Sequence, residues 1–547
     1  MDAGFYPAPP GATPASSLDE LVKTHSQYFN VSISVAITLA SGETFAAAYG
    51  ANDRVSGTPV TTASQYPGGS VTKTFTSAAA LKLVEAGKLD LDEPAHQIVD
   101  PWLQAQGLPT LLEVFNGDPK INLVTPRQLF SMRAGVRDYN DRAVRQFTID
   151  HPQEDFLPMQ FMTSITNTTS SAFLFKPGSG GSYSGVSYVL GGWVLAAAAG
   201  VASWEELDQK RLIEAPPLNT SLPGFQFDQG RFMGRGLCSQ YRLPPVVHQY
   251  LYDPSAAAAR GPLRPSFTNA SRSPPRGAQG HCESPTSKDT YNNTHLVATE
   301  IGRQAVAPES GAAACCALAD SVHGVSYWEF NANATDALCI FYSGYASQHM
   351  TWRNATAGKA DPVVRQTDFL DVYDASCLNG WTMGNIATTP SDITRFYHAL
   401  FSGAFLSADS LAQMMTWAPL TQGFSTGTPY GMGLMKQSVQ AAVDRSCKAL
   451  PDCACNHWGA CTWNTAALRH VGLDYGSGFP FLGFLPALGA SFALATNSGE
   501  MPLGMNSTLR VSENKQLVSA ISCDLLQLLV QMALPEGDAP TLLCQHT

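Results

Sequence analysis

A serine and a lysine lie three positions apart at the start of a mostly apolar segment of this 547-residue chain. Ser70 and Lys73 form a Ser-x-x-Lys pattern, which on a helix places the hydroxyl and the amine on adjacent ridges of one face. The lysine can accept the serine proton only if burial or nearby positive charge lowers the pKa of the amine enough to leave it neutral. The pair therefore indicates nucleophilic catalysis through a covalent intermediate.

The same pattern occurs a second time, at Ser512 and Lys515. Ser70 follows a Gly68-Gly69 turn and opens an alanine-rich segment that can form a buried helix, whereas Ser512 lies among charged residues. This context favours Ser70 as the candidate nucleophile.

Two further elements follow along the chain. Tyr183 comes after a glycine-rich stretch and just before an apolar helix, so we expect the phenol to project from a tight loop into a cleft. His470 opens a late strand, where the small Gly472 would let a substrate backbone approach. With the serine and the lysine, these residues make a candidate catalytic set.

The elements that position this set predict an α+β fold. Residues 18–29 are predicted to form a short amphipathic helix, followed by a hairpin around Ser41-Gly42-Glu43. Three strands are predicted between residues 468 and 498, before a long helix from about Lys515 to Leu534. We therefore expect one antiparallel sheet closed by both chain ends, flanked by helices and carrying an inserted helical subdomain.

The composition and charge of the chain argue against some classes of function. The chain is 44% hydrophobic and 14% charged, which is typical of a globular protein. Its net charge of −11 comes without a polybasic run, which argues against nucleic acid as a partner. Two uncharged runs, 186–204 and 477–498, are predicted to be a buried helix and a pair of strands, so no membrane span is expected.

The cysteines and glycosylation signals favour an oxidising compartment. All 12 cysteines follow Leu237, and paired cysteines persist mainly in extracellular or secretory environments. We therefore expect an extracellular or secretory location, although no signal peptide is visible at the N-terminus. The crowded cysteines around Cys453 fit no strong zinc signature, so disulfides are expected there, with neither metal nor cofactor. Eight Asn-x-Ser/Thr sequons point to the same compartment: Asn30, Asn167, Asn219, Asn269, Asn292, Asn333, Asn354 and Asn506.

Longer segments resemble the serine β-lactamase-related family, which includes class C β-lactamases, D-Ala-D-Ala carboxypeptidases and related esterases. The resemblance extends over residues 18–236 and 367–534. It is carried, in the family's order, by GGSVTKTFTSAAALKLVEAGKLDLDEP, LVTPRQLFSMRAGVRDY, KPGSGGSYSGVSYVLGG, GNIATTPSDITRFYHALFSGAFLS, TPYGMGLM and RHVGLDYGSGFPFLGFLP.

The resemblance implies a role for each candidate residue. Ser70 would form the acyl-enzyme, Lys73 would accept its proton, and Tyr183 would pass a proton to the leaving group. His470 matches a position beside the substrate, and the backbone N–H groups of Ser70 and Leu473 would form the oxyanion hole. The implied reaction is hydrolysis of an ester or amide in a peptide or other small molecule.

One position departs from the family. Two residues after the tyrosine, where an asparagine is usual, this chain has Gly185. An asparagine there would hydrogen-bond both the lysine and an amide carbonyl of the substrate, so its absence argues against β-lactam and D-Ala-D-Ala turnover. It also keeps open the alternative of a catalytically inactive scaffold used for binding.

The predicted domain organisation has three parts. Residues 1–17 are expected to be an extended tail, 18–236 and 366–547 the β-lactamase-like catalytic domain, and 237–365 an inserted cysteine-containing unit. Within that unit, residues 315–343 resemble a PAN/apple-type module, a disulfide-bonded fold that binds proteins or carbohydrates. An unrelated glycosylated loop insertion is an equal alternative.

Overall fold

The computed structural model describes most of the chain outside the predicted insertion. The described residues are 13–29, 31–53, 56–167, 171–217, 224–240, 246–247, 250–252, 290–306, 315, 327–331, 337–359, 369–371, 373–423, 425–443, 449–456, 461–474, 477–497, 512–535 and 538–543.

Helices lie at both ends of the chain and dominate its first half. They are α1 (Pro14–Phe29), α2 (Thr72–Glu85), α3 (Ala95–Ala105), α4 (Leu111–Val114), α5 (Pro126–Phe130), α6 (Asp141–Asp150), α7 (Pro158–Thr166), α8 (Gly185–Ala199), α9 (Gln209–Glu214), α10 (Pro390–Phe401), α11 (Ala408–Met414) and α12 (Ser512–Ala533).

Most long strands lie in the second half of the chain. The strands are β1 (Ile33–Thr38), β2 (Thr44–Tyr49), β3 (Tyr66–Pro67), β4 (Arg231–Phe232), β5 (Tyr250–Tyr252), β6 (Thr290–Val306), β7 (Tyr327–Asn331), β8 (Ala337–Lys359), β9 (Phe369–Asp371), β10 (Ile386–Thr388), β11 (Ala418–Pro419), β12 (Pro429–Tyr430), β13 (Met435–Val443), β14 (Cys453–Cys455), β15 (Cys461–Arg469), β16 (Gly472–Asp474), β17 (Ser477–Leu485), β18 (Ala490–Thr496) and β19 (Leu542–Leu543).

The main sheet joins the two ends of the chain. Its order is β11-β12-β13-β15-β17-β18-β1-β2, with every neighbouring pair antiparallel. All residues of β1 and β18 are buried, as expected for central strands covered on both faces. Helix α10 packs on β1, β17 and β18, and α1 packs on β1 and β2. The predicted α+β fold with an antiparallel sheet and flanking helices is confirmed.

The helical part of the fold is built around α2 and α8. Every residue of α2 from Thr72 to Leu83 is buried, and its alanines allow close approach to α8 and α9. Phe75 of α2 stacks on Phe396 of α10 with ring centroids 4.0 Å apart. This contact fixes α2 against the helix that covers the sheet, so the start of α2 has a defined position.

The structure can be compared with the sequence predictions for the N-terminal tail, the two uncharged runs and a membrane span. Helix α1 begins at Pro14, so the prediction that residues 14–17 belong to an extended tail is wrong; residues 1–12 lie outside the described residues. The predicted buried run 186–204 forms most of α8, and 477–498 forms β17 and β18. Among the residues that the structure describes, no helix is both long and apolar enough to cross a membrane.

The chain divides into two compact units, of which the larger comprises residues 7–250, 371–498 and 518–547. In the larger unit, Cys238 is disulfide-bonded to Cys377. The smaller unit contains β6 and β8, which pair antiparallel, and β7, which pairs parallel with β8. A disulfide joins Cys315 to Cys339 there. Much of the segment that resembles a PAN/apple-type module lies outside the described residues.

Candidate active site

The backbone of Ile386 in β10 makes two hydrogen bonds that hold the turn carrying Ser70. After β3, Gly69 adopts a φ of +49°, and residues 69–71 form a 3₁₀ turn that leads into α2. Gly68 N–H donates to Ile386 O at 2.7 Å, and Ile386 N–H donates to Thr72 Oγ1 at 3.0 Å. Ser70 itself is half-buried, so its hydroxyl is held in place while the residue stays accessible.

Ser70 Oγ is the meeting point of two of the predicted residues. Lys73 Nζ donates to it at 2.8 Å and Tyr183 Oη donates to it at 2.7 Å. The tyrosine lies just before α8, where Ser184 caps the helix by accepting a hydrogen bond from Ser187 N–H. The structure therefore brings Ser70, Lys73 and Tyr183 into direct contact, although Tyr183 is separated from the other two by more than a hundred positions.

Burial determines the protonation of the lysine and the tyrosine. Lys73 is only 2% exposed, and the loss of hydration lowers the pKa of its amine to about 7, although the negative charge of Asp138 opposes this shift. Burial raises the pKa of the Tyr183 phenol far above its usual value, and the hydrogen bond to Ser70 opposes that rise. Near neutral pH the amine can accept a proton, whereas the phenol keeps its own.

His470 lies beside Tyr183, with ring centroids 5.9 Å apart. Its Nδ1 is 2.8 Å from Val471 O, which can only accept, so Nδ1 carries the proton and Nε2 accepts from Tyr430 Oη at 3.1 Å. Burial, followed by the charge of Lys73, lowers the pKa of His470 to about 3. The ring is therefore neutral at physiological pH, and both of its nitrogens are engaged by protein groups.

Gly472 brings strand β16 against the turn that carries Ser70. A Cβ at this position would overlap Gly68 O and would lie 2.5 Å from Val71 N and 2.9 Å from Ser70 N. A glycine is therefore required for this close approach of two backbones. Leu473, the next residue of β16, pairs with Gly478 of β17. The backbone of Ser70 thus lies directly beside the strand that carries Leu473.

Gly185 leaves a space that other residues fill. A Cβ at Gly185 would overlap Met383 Sδ, would lie 3.0 Å from Tyr139 Cε1 and would lie 3.3 Å from Asp138 Oδ1. Met383 O also accepts a hydrogen bond from Lys73 Nζ at 2.9 Å. Asp138 and Met383 thus surround the position of the absent asparagine. Neither residue is among those predicted from the sequence, although Asp138 lies in one of the segments that carry the family resemblance.

A tight turn presents the carbonyl of Met383 to the lysine. Asn379, Gly380 and Trp381 all have positive φ, at 41°, 71° and 54°. Such backbone conformations are unfavourable for non-glycine residues and persist where the surroundings enforce them. Here Asn379 Nδ2 donates to Gly384 O at 3.0 Å, and Thr76 Oγ1 of α2 donates to Thr382 O at 2.6 Å. The turn is therefore tied to the helix that carries Lys73.

The arrangement can be compared with known proteins. The sequence model of the Beta-lactamase family matches residues 18–512, which is most of the chain. The chain therefore belongs to the beta-lactamase family.

Several solved structures are similar to this chain over most of its length. The D-amino acid amidase from Ochrobactrum anthropi SV3 in complex with L-phenylalanine amide has a TM-score of 0.51 at 17% identity, covering 94% of this chain and 99% of that one. A D-stereospecific amidohydrolase from Streptomyces sp. has a TM-score of 0.45 at 14% identity, over 93% and 98%. A penicillin-binding protein homologue from Pyrococcus abyssi has a TM-score of 0.47 at 16%, over 89% and 74%.

Proposed function

We propose that the protein is a serine hydrolase that cleaves an ester or an amide through an acyl-enzyme at Ser70. The observation that carries this proposal is the pair of short hydrogen bonds that Lys73 and Tyr183 make to one hydroxyl. A serine whose oxygen contacts both a base and an acid is arranged for nucleophilic attack. Membership of the beta-lactamase family supports the same chemistry.

The different protonation states of Lys73 and Tyr183 give the two residues different roles in the reaction. Lys73, with a pKa of about 7, takes the proton of Ser70 as its oxygen attacks the substrate carbonyl. Tyr183 keeps its proton at neutral pH, so it donates that proton to the leaving group and is reprotonated from Lys73. Water then attacks the acyl-enzyme and gives a proton to Lys73, and the same pair returns a proton to Ser70 Oγ as its bond to the acyl group breaks. The backbone N–H groups of Ser70 and Leu473 bind the developing oxyanion.

His470 has a positioning role in this proposal. It is neutral, and it packs between the rings of Tyr183 and Tyr430 while accepting a hydrogen bond from Tyr430. A neutral ring at this position cannot form an ion pair with a substrate carboxylate. Its contribution is to hold the Tyr183 ring at the correct distance from Ser70.

Labelling of Ser70 tests the proposal. A fluorophosphonate probe should add the mass of one probe to the wild-type protein and none to the Ser70→Ala variant. Ser512→Ala is the matched control, because it removes the serine of the second Ser-x-x-Lys pattern and should leave labelling intact. A p-nitrophenyl ester provides a second acylating agent, with an initial burst expected only when Ser70 is present. Folded protein that reacts with neither reagent would support the alternative of an inactive binding scaffold.

We also propose that the protein resides in an extracellular or secretory compartment. Disulfides at Cys238–Cys377 and Cys455–Cys461 support this location. Among the predicted sequons, Asn167 is exposed at the end of α7. Treatment of the protein from its native source with an N-glycosidase should lower its mass, and an Asn167→Gln variant should lose one glycan. An unchanged mass after deglycosylation would contradict the proposal.

A further inference from the structure

The carboxylate of Asp138 lies at the space left by Gly185. Asp138 Oδ1 accepts hydrogen bonds from Gly185 N–H at 2.8 Å and from Tyr139 N–H at 3.0 Å, so its orientation is fixed by two backbone groups. The residue as a whole is exposed, in contrast to the buried Lys73 and Met383, although desolvation of its carboxyl beside these groups raises the pKa of Asp138 to about 6, against the opposing charge of Lys73. The carboxylate is also close enough to affect the protonation of both Lys73 and Tyr183. Asp138 is therefore held beside the reacting groups and remains open to a ligand.

The chemistry of a carboxylate differs from that of an asparagine at this location. An amide side chain carries N–H donors that can bind a carbonyl on the acyl part of a substrate, whereas an ionised carboxylate can only accept hydrogen bonds. A substrate carbonyl facing Asp138 would therefore meet another acceptor. An amine facing Asp138 would form a charge-assisted hydrogen bond, which is stronger than a bond between neutral groups.

The other ionisable groups around Ser70 also favour an amine over a carbonyl beside Asp138. Lys73 is about half neutral at pH 7, and His470 is uncharged. Arg137, next to Asp138 in sequence, donates to Ser171 O, and Arg133 donates to Gly178 O. Asp138 is thus the negatively charged group that the structure places beside the nucleophile.

We propose that Asp138 makes the site selective for substrates whose acyl group carries a free amine, such as aminoacyl esters or amides, over N-acylated or carboxylate-bearing ones. This inference rests on the proposed function, because it assigns the substrate class of the same nucleophile. Asp138 would bind the amine while Ser70 attacks the neighbouring carbonyl. Selection of an amine also agrees with Gly185, since a larger residue there would crowd Asp138.

Three benzyl esters that differ only in the acyl group test the proposal: alaninate, N-acetylalaninate and propanoate, with both enantiomers of the first two. At pH 7 we expect kcat/KM for one enantiomer of the free-amine ester to exceed that of the propanoate by on the order of tenfold. The N-acetyl ester should be the poorest substrate. Because the propanoate has neither an amine nor an acetyl group, it serves as the reference for both esters. It shows whether binding of the amine raises kcat/KM or the acetyl group lowers it.

The decisive variant is Asp138→Asn, which keeps an oxygen for the Gly185 and Tyr139 N–H groups but removes the charge. Its ratio of free-amine to propanoate turnover should fall to near one. Any change in the protonation of Lys73 affects both esters equally and cancels in the ratio. Asp141→Asn, which removes an acidic charge at the start of α6, is the matched control and should keep the wild-type ratio. Unfolding curves confirm that each variant is folded.

The outcomes separate this inference from the proposed function. If Ser70 is not acylated by any reagent, the proposed function fails. If Ser70 is acylated but the wild-type ratio is near or below one, or the preference survives in Asp138→Asn, only the amine inference is overturned. If none of the esters turns over, alaninamide should slow fluorophosphonate labelling of Ser70 more than N-acetylalaninamide does, and equal protection by the two amides would overturn the inference.

Discussion

Two lysines on one helix show how the proposed catalytic environment differs from a purely structural one. Lys73 and Lys82 both lie in α2, are 2% and 7% exposed, and have pKa values lowered by burial to about 7 and about 8. Each amine donates to a backbone carbonyl, Lys73 to Met383 O and Lys82 to Ala215 O. By burial and protonation alone, the two residues are nearly equivalent.

They differ in what else they touch. Lys82 Nζ lies 4.4 Å from the centroid of the Phe405 ring, an apolar neighbour. Lys73 Nζ lies 5.1 Å from the centroid of the Tyr183 ring, and both residues reach Ser70 Oγ. A perturbed pKa therefore marks both lysines, but only Lys73 contacts the hydroxyl of the proposed nucleophile, which the phenol of the proposed acid also contacts. Geometry, not burial, distinguishes the two environments.

The largest expected effect comes from exchanging each lysine for an apolar residue of similar length. Lys73→Met removes the proton acceptor and should lower the rate of Ser70 acylation by about 10³-fold. Lys82→Met removes another buried amine from the same helix, and its rate should stay within about threefold of wild type. Stopped-flow measurement of the ester burst gives both values. Comparable losses in the two variants would mean that burial in α2, rather than contact with Ser70, is what matters.

The second prediction concerns the hydroxyl of Tyr183. The ring beside Lys73 carries this hydroxyl, whereas the Phe405 ring beside Lys82 has none. Tyr183→Phe should lower turnover by about 10²-fold, because the leaving group loses its acid. Tyr188→Phe is the matched control: its ring centroid is 5.6 Å from Lys73 Nζ, but its hydroxyl donates to Phe130 O instead of Ser70. Equal rates for the two variants would contradict the role of Tyr183.

The sequence predicts the parts of this site that lie in local patterns. Ser70 and Lys73 are recognisable because a helix places positions i and i+3 side by side, and Tyr183 because it lies between a glycine-rich stretch and an apolar helix. The sheet is predictable for a similar reason, since strands at both chain ends must pair to bury their apolar faces. These inferences need only short-range periodicity and the residue types themselves.

The groups that surround Gly185 could not be predicted in the same way. Met383 acts through its backbone carbonyl, a group that every residue type has, so the sequence does not reveal it. The position of this carbonyl depends on a turn with three consecutive positive φ values. Asp138 reaches the site from a loop through hydrogen bonds to N–H groups. The absence of the asparagine was visible in the sequence, but what fills its space is a property of tertiary packing.

The third prediction concerns pH and tests Asp138, whose charge acts on Lys73, whereas the acidic group that acts on Lys82 is Glu85. Acylation of Ser70 needs neutral Lys73, so its rate should rise as pH increases through about 7. Asp138 raises the pKa of Lys73, so Asp138→Asn should move the midpoint of this rise to lower pH. Asp141→Asn should leave it in place. A midpoint that does not move, or that moves to higher pH, would show that Asp138 does not act on Lys73.

The smallest expected effect is on stability, where the two lysines should behave alike. The pKa of Lys73 in the folded protein, about 7, lies below its ordinary value of 10.5, so the unfolded state binds more protons between these two pH values. Its contribution to folding therefore becomes less favourable as pH falls from 10.5 to 7, and it stays unfavourable below 7. For Lys82 the corresponding window is narrower, from 10.5 to about 8.

Lys73→Met should accordingly raise the free energy of unfolding at pH 7 by on the order of 1 kcal/mol while abolishing activity, as expected where function requires a buried polar group. The difference from wild type should shrink as pH approaches 10. Lys82→Met should show the same trend with a smaller amplitude, because less of its proton affinity is lost on folding. Urea unfolding at pH 7 and pH 9.5 measures both variants. A Lys73→Met protein that is less stable than wild type at pH 7 would mean that the hydrogen bonds to Ser70 and Met383 outweigh the desolvation of the amine.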